Sequence, residues 1–484
     1  MTEQNAVSWL KGLKNGLRPF RRRQVHPNQH SMYMSDLPKT IGTQFNTMEL
    51  DSTTYNDLSI FQPEEEFSVF HKLNFTRTVE GREWLLKFFR NPFSDIKHIQ
   101  ETQQIIRTIH ANLDKWPLTI TNGTVMVIER FYESNIDHMP GSNLLNAVSY
   151  KVFHAADFSL VRYSLSHFAD FVRGMQQLVE LFENEKAPVL VRSFLRRAQD
   201  LLNKRELQKL IQTPAGTKFT LTETIYYGAY VKDHFKAPVF ELINIYGRFD
   251  AWYSMATAMK QYKLCFPEFI EQDQPLIDAK QLYHILLPTP VAYDVQMNRE
   301  SNFFFLTGAN MAGKSTFIKA VGTSVFLAHL GMGVPADTMK MTIFDGLLSN
   351  INVVDNIVKG ESYFFNEVQR IRNTIVKIND GRKWLVLIDE LFKGTNVQDA
   401  MKCSFTVIQG LIKIKSALFI LSTHLYEIGE DLRQYPNISF RYFETTVNGD
   451  QLQFSYQLKD GISNDRLGYL ILKREKVVEL LERL

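Results

Sequence analysis

FFFLTGANMAGKSTF, residues Phe303–Phe317, joins an apolar run, a glycine-framed turn and a lysine–serine pair. The run before Gly308 has the unbroken apolar character of a strand buried on both faces. Gly308–Ser315, GANMAGKS, fits G-x-x-x-x-G-K-S/T and opens a predicted helix, the context that motif requires. Glycines there let backbone N–H groups turn toward phosphate oxygens, and the helix N-terminus adds a favourable field. Lys314 would bridge the β- and γ-phosphates and Ser315 would hold Mg²⁺. Gly308, Ala309, Asn310, Met311, Ala312, Gly313, Lys314, Ser315 and Thr316 are therefore the candidate phosphate-binding residues.

Two more apolar runs end in polar residues. WLVLIDE places Asp389 at the carboxyl end of a predicted buried strand, where it can hold the Mg²⁺ water shell, with Glu390 next to it to polarise an attacking water. An ordinary strand-end acidic pair is the bland alternative, and the upstream phosphate loop weighs against it. In ILSTH, His424 ends the following strand, where a γ-phosphate sensor is preferred to a structural histidine.

Outward from these strands the chain divides. Its 484 residues, 44% hydrophobic and 22% charged, can bury a large core in more than one domain. A net charge of +3, from 55 basic and 52 acidic residues, neither demands nor forbids nucleic acid. Two cysteines, Cys265 and Cys403, exclude a disulfide framework and point to a reducing compartment. The opening residues lack the apolar h-region of a signal peptide, and no apolar run is long enough to cross a bilayer, so a cytoplasmic location is expected. Residues 1–45 form a basic extension with Lys11, Lys14, Arg18, Arg21, Arg22 and Arg23. A solvated tail is the preferred reading, with a lipid- or phosphate-touching amphipathic helix as the alternative.

Over 46–270 the apolar spacing is helical. Phe168, Phe171, Val172, Met175, Leu178, Val179 and Phe182 line one face, and Leu190, Phe194, Ala198, Leu201 and Leu202 line another. The arginines between them, Arg192, Arg196 and Arg197, read as a solvated face rather than a nucleic-acid surface. Over 271–484 short apolar runs alternate with helical segments, and ISFRYFETTVNGDQLQFSYQL alternates about Asn448–Gly449 as a hairpin does. The expected fold is multidomain: an all-α core domain followed by an α/β P-loop ATPase domain.

A phosphate loop, then a strand ending Asp–Glu, then a strand ending in His, resembles the ABC-type ATPases. GESYFFNEV, with Ser362 at a helix start, lies where such proteins place the signature that closes on a partner's ATP; a plain N-cap would also put a serine there. Several stretches are similar to the MutS family of mismatch-repair ATPases. TGANMAGKST resembles T-G-P-N-M-x-G-K-S-T with Ala309 for proline. GESYFFNEV resembles G-x-S-T-F-M-x-E-M through Gly360, Ser362, Phe364 and Glu367. DELFKGTNVQDA resembles the family's D-E segment through Asp389, Glu390, Gly394, Thr395 and Asp399. FTRTVEGREWLLKFFRNPFSDIKHI, from Phe75, is similar to its lever motif. Arg466–Leu467 replaces a serine–aromatic pair near the end, and Pro290 and Tyr293 fall where some members carry an adenine-stacking aromatic and an Asn. The family's mismatch-reading and connector domains have no counterpart in the stretches before the lever motif; RFYES, Arg130–Ser134, is a coincidental match to the mismatch motif.

The resemblance implies ATP and Mg²⁺ as cofactors and a homodimer with two shared sites. Each site would take the phosphate loop, Asp389, Glu390 and His424 from one copy and Ser362 and the Asp399 segment from the other. DNA is the implied partner, in repair-related processing. The alternative is an ATP-gated regulatory protein that grips a protein partner without a DNA role; it gains weight from the missing mismatch and clamp domains and the near-neutral charge. A membrane-associated form is the least favoured reading.

Overall fold

The structure, a computed structural model, describes residues 46–183, 187–352, 363–448, 451–463 and 476–481. The basic extension, Gly360, Ser362, Gly449 and Arg466–Leu467 lie outside the described residues. Thr78 opens the helix Val79–Arg90 as its N-cap, its hydroxyl accepting the Gly81 N–H at 3.0 Å. The same helix start is gripped by Asp250, fully buried in the long helix Lys236–Tyr262. The Asp250 carboxylate accepts the N–H groups of Arg77 at 3.0 Å and Thr78 at 2.9 Å, and the Thr78 hydroxyl at 2.7 Å. Gly81 allows this approach, since a Cβ there would fall 2.1 Å from the carboxylate. The TRTVEG stretch is therefore a seam between two helices.

Helices Ile96–Ala111, Asn122–Glu133, Leu144–Phe153, Ala155–Glu183, Val189–Leu202, Arg205–Gln212 and Leu221–His234 build up the rest of the helical half. The stripe Phe168, Phe171, Val172, Met175, Leu178, Val179 and Phe182 is buried along its whole length. In Val189–Leu202 the residues Ala198, Leu201 and Leu202 face the core, while Arg192, Arg196 and Arg197 face outward. Lys236–Tyr262 buries residues on every side, from Val239 to Met259, as a central helix must. The aromatic pair of RFYES belongs to the core as well. Phe131 and Tyr132 are buried, and the Tyr132 hydroxyl donates to the Val231 carbonyl at 3.0 Å.

Strands follow: β1 (Glu268–Phe269), β2 (Ile277–Leu282), β3 (Tyr293–Met297), β4 (Phe303–Thr307), β5 (Thr338–Met341), β6 (Gly346–Asn350), β7 (Trp384–Asp389), β8 (Ala417–Ser422), β9 (Ile438–Asn448) and β10 (Gln451–Asp460). Helices first and mixed α/β sheets after is the expected order. A smaller sheet runs β1-β5-β2-β3 and a larger one β10-β9-β4-β8-β7-β6. In the larger sheet β4, β6, β7, β8 and β9 are parallel, and β10 returns antiparallel to β9 with Gln451 opposite Asn448. Parallel neighbours need crossovers, supplied by the helices Lys314–His329, Tyr363–Ile378, Val397–Leu411 and Glu427–Leu432.

Strand alternation feeds two layers. Phe304, Leu306, Leu385, Leu387, Leu418 and Ile420 share a core with Phe317 and Val321 of Lys314–His329. Phe303, Phe305, Val386, Ile388, Phe419 and Leu421 share another with Ile371 of Tyr363–Ile378 and Ile408 of Val397–Leu411. The first of these cores also takes in the helical half, from Met48 onward, so one face of the sheet and the helices are packed together. A small helix, Ser52–Asp57, adds a polar tie: the buried Asp57 accepts the Ser349 hydroxyl at 2.6 Å and the N–H groups of Ile351 and Asn352 at 2.9 and 3.1 Å. Among the described residues no helix is long and apolar enough to cross a membrane.

Candidate active site

Strand β4 lies between β8 and β9, so the loop that leaves it opens at the carboxyl ends of three parallel strands. Such strand ends are where open α/β sheets hold ligands. The loop turns through left-handed backbone at Gly308 (φ 137°), Met311 (φ 68°) and Gly313 (φ 108°), then enters the helix at Lys314. Gly308 also abuts β9, where a Cβ would meet the Phe443 carbonyl at 3.1 Å. Ala309 and Ala312 are buried beneath the loop, Asn310 is exposed and Met311 is 74% exposed at its crest. Thr316 is half-buried in the first helical turn.

Lys314 is only 6% exposed, and its Nζ donates to the carbonyls of Gly308 at 2.8 Å and Ala309 at 2.9 Å. Burial lowers its pKa to about 8, against the opposing pull of Asp389 and Glu390. The hydroxyl of Ser315 donates to Asp389 Oδ2 at 2.5 Å, and the Ser422 hydroxyl donates to Oδ1. Ser422 stands in register opposite Asp389 across the β7–β8 pair. A hydroxyl and a carboxylate facing each other at the loop mouth form an all-oxygen donor set, which suits Mg²⁺.

Glu390 leaves β7 with a left-handed backbone (φ 65°), its N–H bound to the Ser422 carbonyl at 2.9 Å. For a non-glycine residue that conformation costs on the order of 1–3 kcal/mol, and it aims the side chain back over the strand ends. Oε1 lies 2.9 Å from His424 Nε2 and Oε2 lies 3.0 Å from Lys393 Nζ. Burial alone would raise the Glu390 pKa. The hydrogen bonds from His424 and Lys393 outweigh it and hold the carboxyl at about 2. His424 Nε2 is also 3.5 Å from Lys314 Nζ, so His424 stands between the loop lysine and the carboxylate.

The structure thus brings Lys314, Ser315, Asp389, Glu390 and His424 into one connected cluster beside Gly308–Gly313. Asp399 is placed elsewhere. It is exposed on the first turn of Val397–Leu411, paired with Asn396 at 2.6 Å. Among the described residues no hydrogen bond or ion pair joins it to the cluster. Three residues carry weight that sequence reasoning did not assign. Ser422 needed the strand register to be seen. Lys393 was a plain lysine in DELFKGT. Glu367, though part of a matched motif, proves to be a buried clamp whose two oxygens accept the N–H groups of Lys393 at 3.0 Å and Gly394 at 3.1 Å. Tyr293 packs edge-on against Phe317 and Phe443 beneath the loop, with burial pushing its pKa up to about 12.

Residues 304–479 match the model of MutS domain V. The C-terminal half is similar to proteins of the MutS family. The DNA mismatch repair protein MutS of Pseudothermotoga lettingae is 28% identical over 232 residues, 48% of this chain and 28% of the relative. The DNA mismatch repair protein spellchecker 1 of Drosophila melanogaster is 27% identical over 247 residues, 49% and 27% of the two chains. MutS protein homolog 4 of Homo sapiens is 28% identical over 239 residues, 47% and 25%. The chain spans less than a third of the length of these curated relatives. The connected cluster, at the ends of β4, β7 and β8, lies inside the matched segment.

Proposed function

We propose that the chain is an ATPase of the MutS type that binds and hydrolyses ATP at sites shared between two copies and couples this cycle to DNA. The carrying observation is the connected cluster: a loop lysine, a hydroxyl–carboxylate pair and a second carboxylate bridged by histidine, all at the ends of neighbouring parallel strands. Backbone N–H groups of Gly308–Gly313 would cradle the phosphates, with Lys314 released from its loop carbonyls to the β- and γ-oxygens. Ser315 and Asp389 would hold Mg²⁺, which supplies charge neutralisation on the phosphate oxygens. Glu390 orients the water and takes its proton as the water oxygen bonds to the γ-phosphorus and the bond to the bridging oxygen breaks. His424 turns from Glu390 toward the γ-phosphate.

Ser362 and Asp399 are assigned to the partner copy's site, and the outward position of Asp399 supports that assignment. In this reading residues 46–270 act as a cytoplasmic lever and 271–484 as the motor, and the core they share would carry closure from one to the other. The printed names of the relatives support a role in DNA repair. Glu390→Gln should bind ATP–Mg²⁺ and accumulate a dimer on size-exclusion chromatography, whereas Lys314→Ala should lose nucleotide binding. A Glu390→Gln protein that stays monomeric with saturating ATP would rule out shared sites. A net charge of +3 leaves room for a second reading, a protein partner gripped without DNA. Titration of duplex, branched and mismatched DNA against salt separates the two, because phosphate contacts weaken as salt rises.

A further inference from the structure

Glu390 can act on water best when one of its oxygens is turned to the water rather than held in an ion pair. In this structure each oxygen already holds one donor, Oε1 facing His424 at 2.9 Å and Oε2 facing Lys393 at 3.0 Å, so the carboxylate is oriented by these partners. The two partners are not held alike. His424 has a second neighbour in Lys314, 3.5 Å away, and sits where the γ-phosphate would arrive. Lys393 comes from the loop itself, three residues beyond Glu390. Its main chain is fixed, since Glu367 accepts its N–H and that of Gly394. Gly394 is wedged so tightly that a Cβ would lie 2.7 Å from the Phe364 nitrogen. The Lys393 side chain is 40% exposed, so with its backbone clamped the flexible stem is the part that can swing.

We infer that Lys393 is a positioning residue that latches Glu390 against premature water activation and releases it to a bound nucleotide. This inference rests on the reading of Glu390 as the water-orienting group. An arriving triphosphate offers a stronger counter-charge than one carboxylate, so Lys393 and His424 both turn to it and Oε2 opens toward water. The latch would keep turnover low until the nucleotide is seated, with Glu367 supplying the fixed pivot.

The test is steady-state ATP hydrolysis by the full chain with Mg²⁺, comparing wild type, Lys393→Gln, Lys393→Met, Lys393→Arg and Glu390→Gln. Loss of the latch is expected to raise kcat by about three- to tenfold in Lys393→Gln and Lys393→Met, with KM within about twofold. Lys393→Arg, which keeps the cation, returns the rate to the wild-type level. A merely structural lysine would give no gain in kcat. Unchanged or reduced kcat in both neutral variants, with Glu390→Gln inactive, overturns the latch while leaving the hydrolytic reading in place. Turnover that survives in Glu390→Gln overturns that reading and the latch with it.

Discussion

Asp250 in the helical half and Glu390 at the strand ends are both carboxylates turned into the protein, and their partners differ in kind. Asp250 is met by neutral dipoles, the N–H groups of Arg77 and Thr78 and the Thr78 hydroxyl. Burial dominates there and pushes its pKa up to about 6, even though those hydrogen bonds pull the other way. Glu390 is met by His424 and Lys393; burial again works to raise its pKa, but the side-chain hydrogen bonds win and hold it at about 2. Dipoles on a clamped backbone fix a shape. Side-chain donors such as Lys393 and His424 stabilise a charge, and another anion can take them over. The first arrangement suits a seam that must not open, the second a site that must change partners.

The sharpest test of this contrast is Glu390→Gln, which keeps the size of the side chain and removes its basicity. Turnover should fall by about a thousandfold, the range set for a lost general base, while nucleotide binding remains. Denaturation midpoints should fall by much less than turnover does, by the part that reflects the lost ion pairing with Lys393 and His424. If urea unfolding shifts as much as turnover does, Glu390 is a structural group and the contrast fails.

Asp250→Ala reverses the pattern. It strands two backbone N–H groups in a dry seam, which costs about 3 kcal/mol of stability. Urea melts should show the loss, and the protein that remains folded should turn over ATP at the wild-type rate.

A weaker effect separates the two carboxylates by pH. Asp250 has a folded pKa of about 6 against an ordinary value of 3.8, so between those limits the native state binds more protons than the unfolded chain. Its contribution to stability is therefore greatest near pH 4 and is lost as pH rises through 6. The difference in unfolding free energy between wild type and Asp250→Asn should drop by about 2 kcal/mol over that interval, a magnitude that follows from the usual linkage factor per pKa unit. A flat difference would mean that the hydrogen bonds, not burial, control Asp250.

The same contrast explains what could be read in advance. NFFFLTG, KWLVLIDE and ALFILSTH are apolar without interruption, so β4, β7 and β8 and the residues that end them were visible from composition alone. Strand β6, GLLSN, was not, because glycine, serine and asparagine carry no strand signal. It is a strand because it pairs with β7 in register, and Gly346 leaves room for the ring of Trp384, which a Cβ would meet at 2.0 Å. The site's supporting groups were hidden for a similar reason. Ser422 matters through its register with Asp389, Lys393 through a left-handed turn at Glu390, and Glu367 through a contact across two elements. Tyr293, which falls where some members of the resembled family carry an Asn, packs in the core under the loop, edge-on to Phe317 and Phe443.

The arginines of the helical half give the smallest effect and the last way to break the comparison. Arg196 is exposed on Val189–Leu202, whereas its neighbour Arg197 is tied to Glu241 at 2.7 and 2.8 Å. Exposed charges of this kind contribute little to folding, so Arg196→Ala should change stability by less than about 0.5 kcal/mol. If the face is only solvated, DNA affinity plotted against salt keeps its slope in Arg196→Ala. If the arginine touches a phosphate, the slope falls by roughly one unit, the amount expected for one lost counterion-releasing contact. That outcome would move part of the function from the strand-end cluster to the lever, making the helical half a reader of DNA as well as a transmitter of closure.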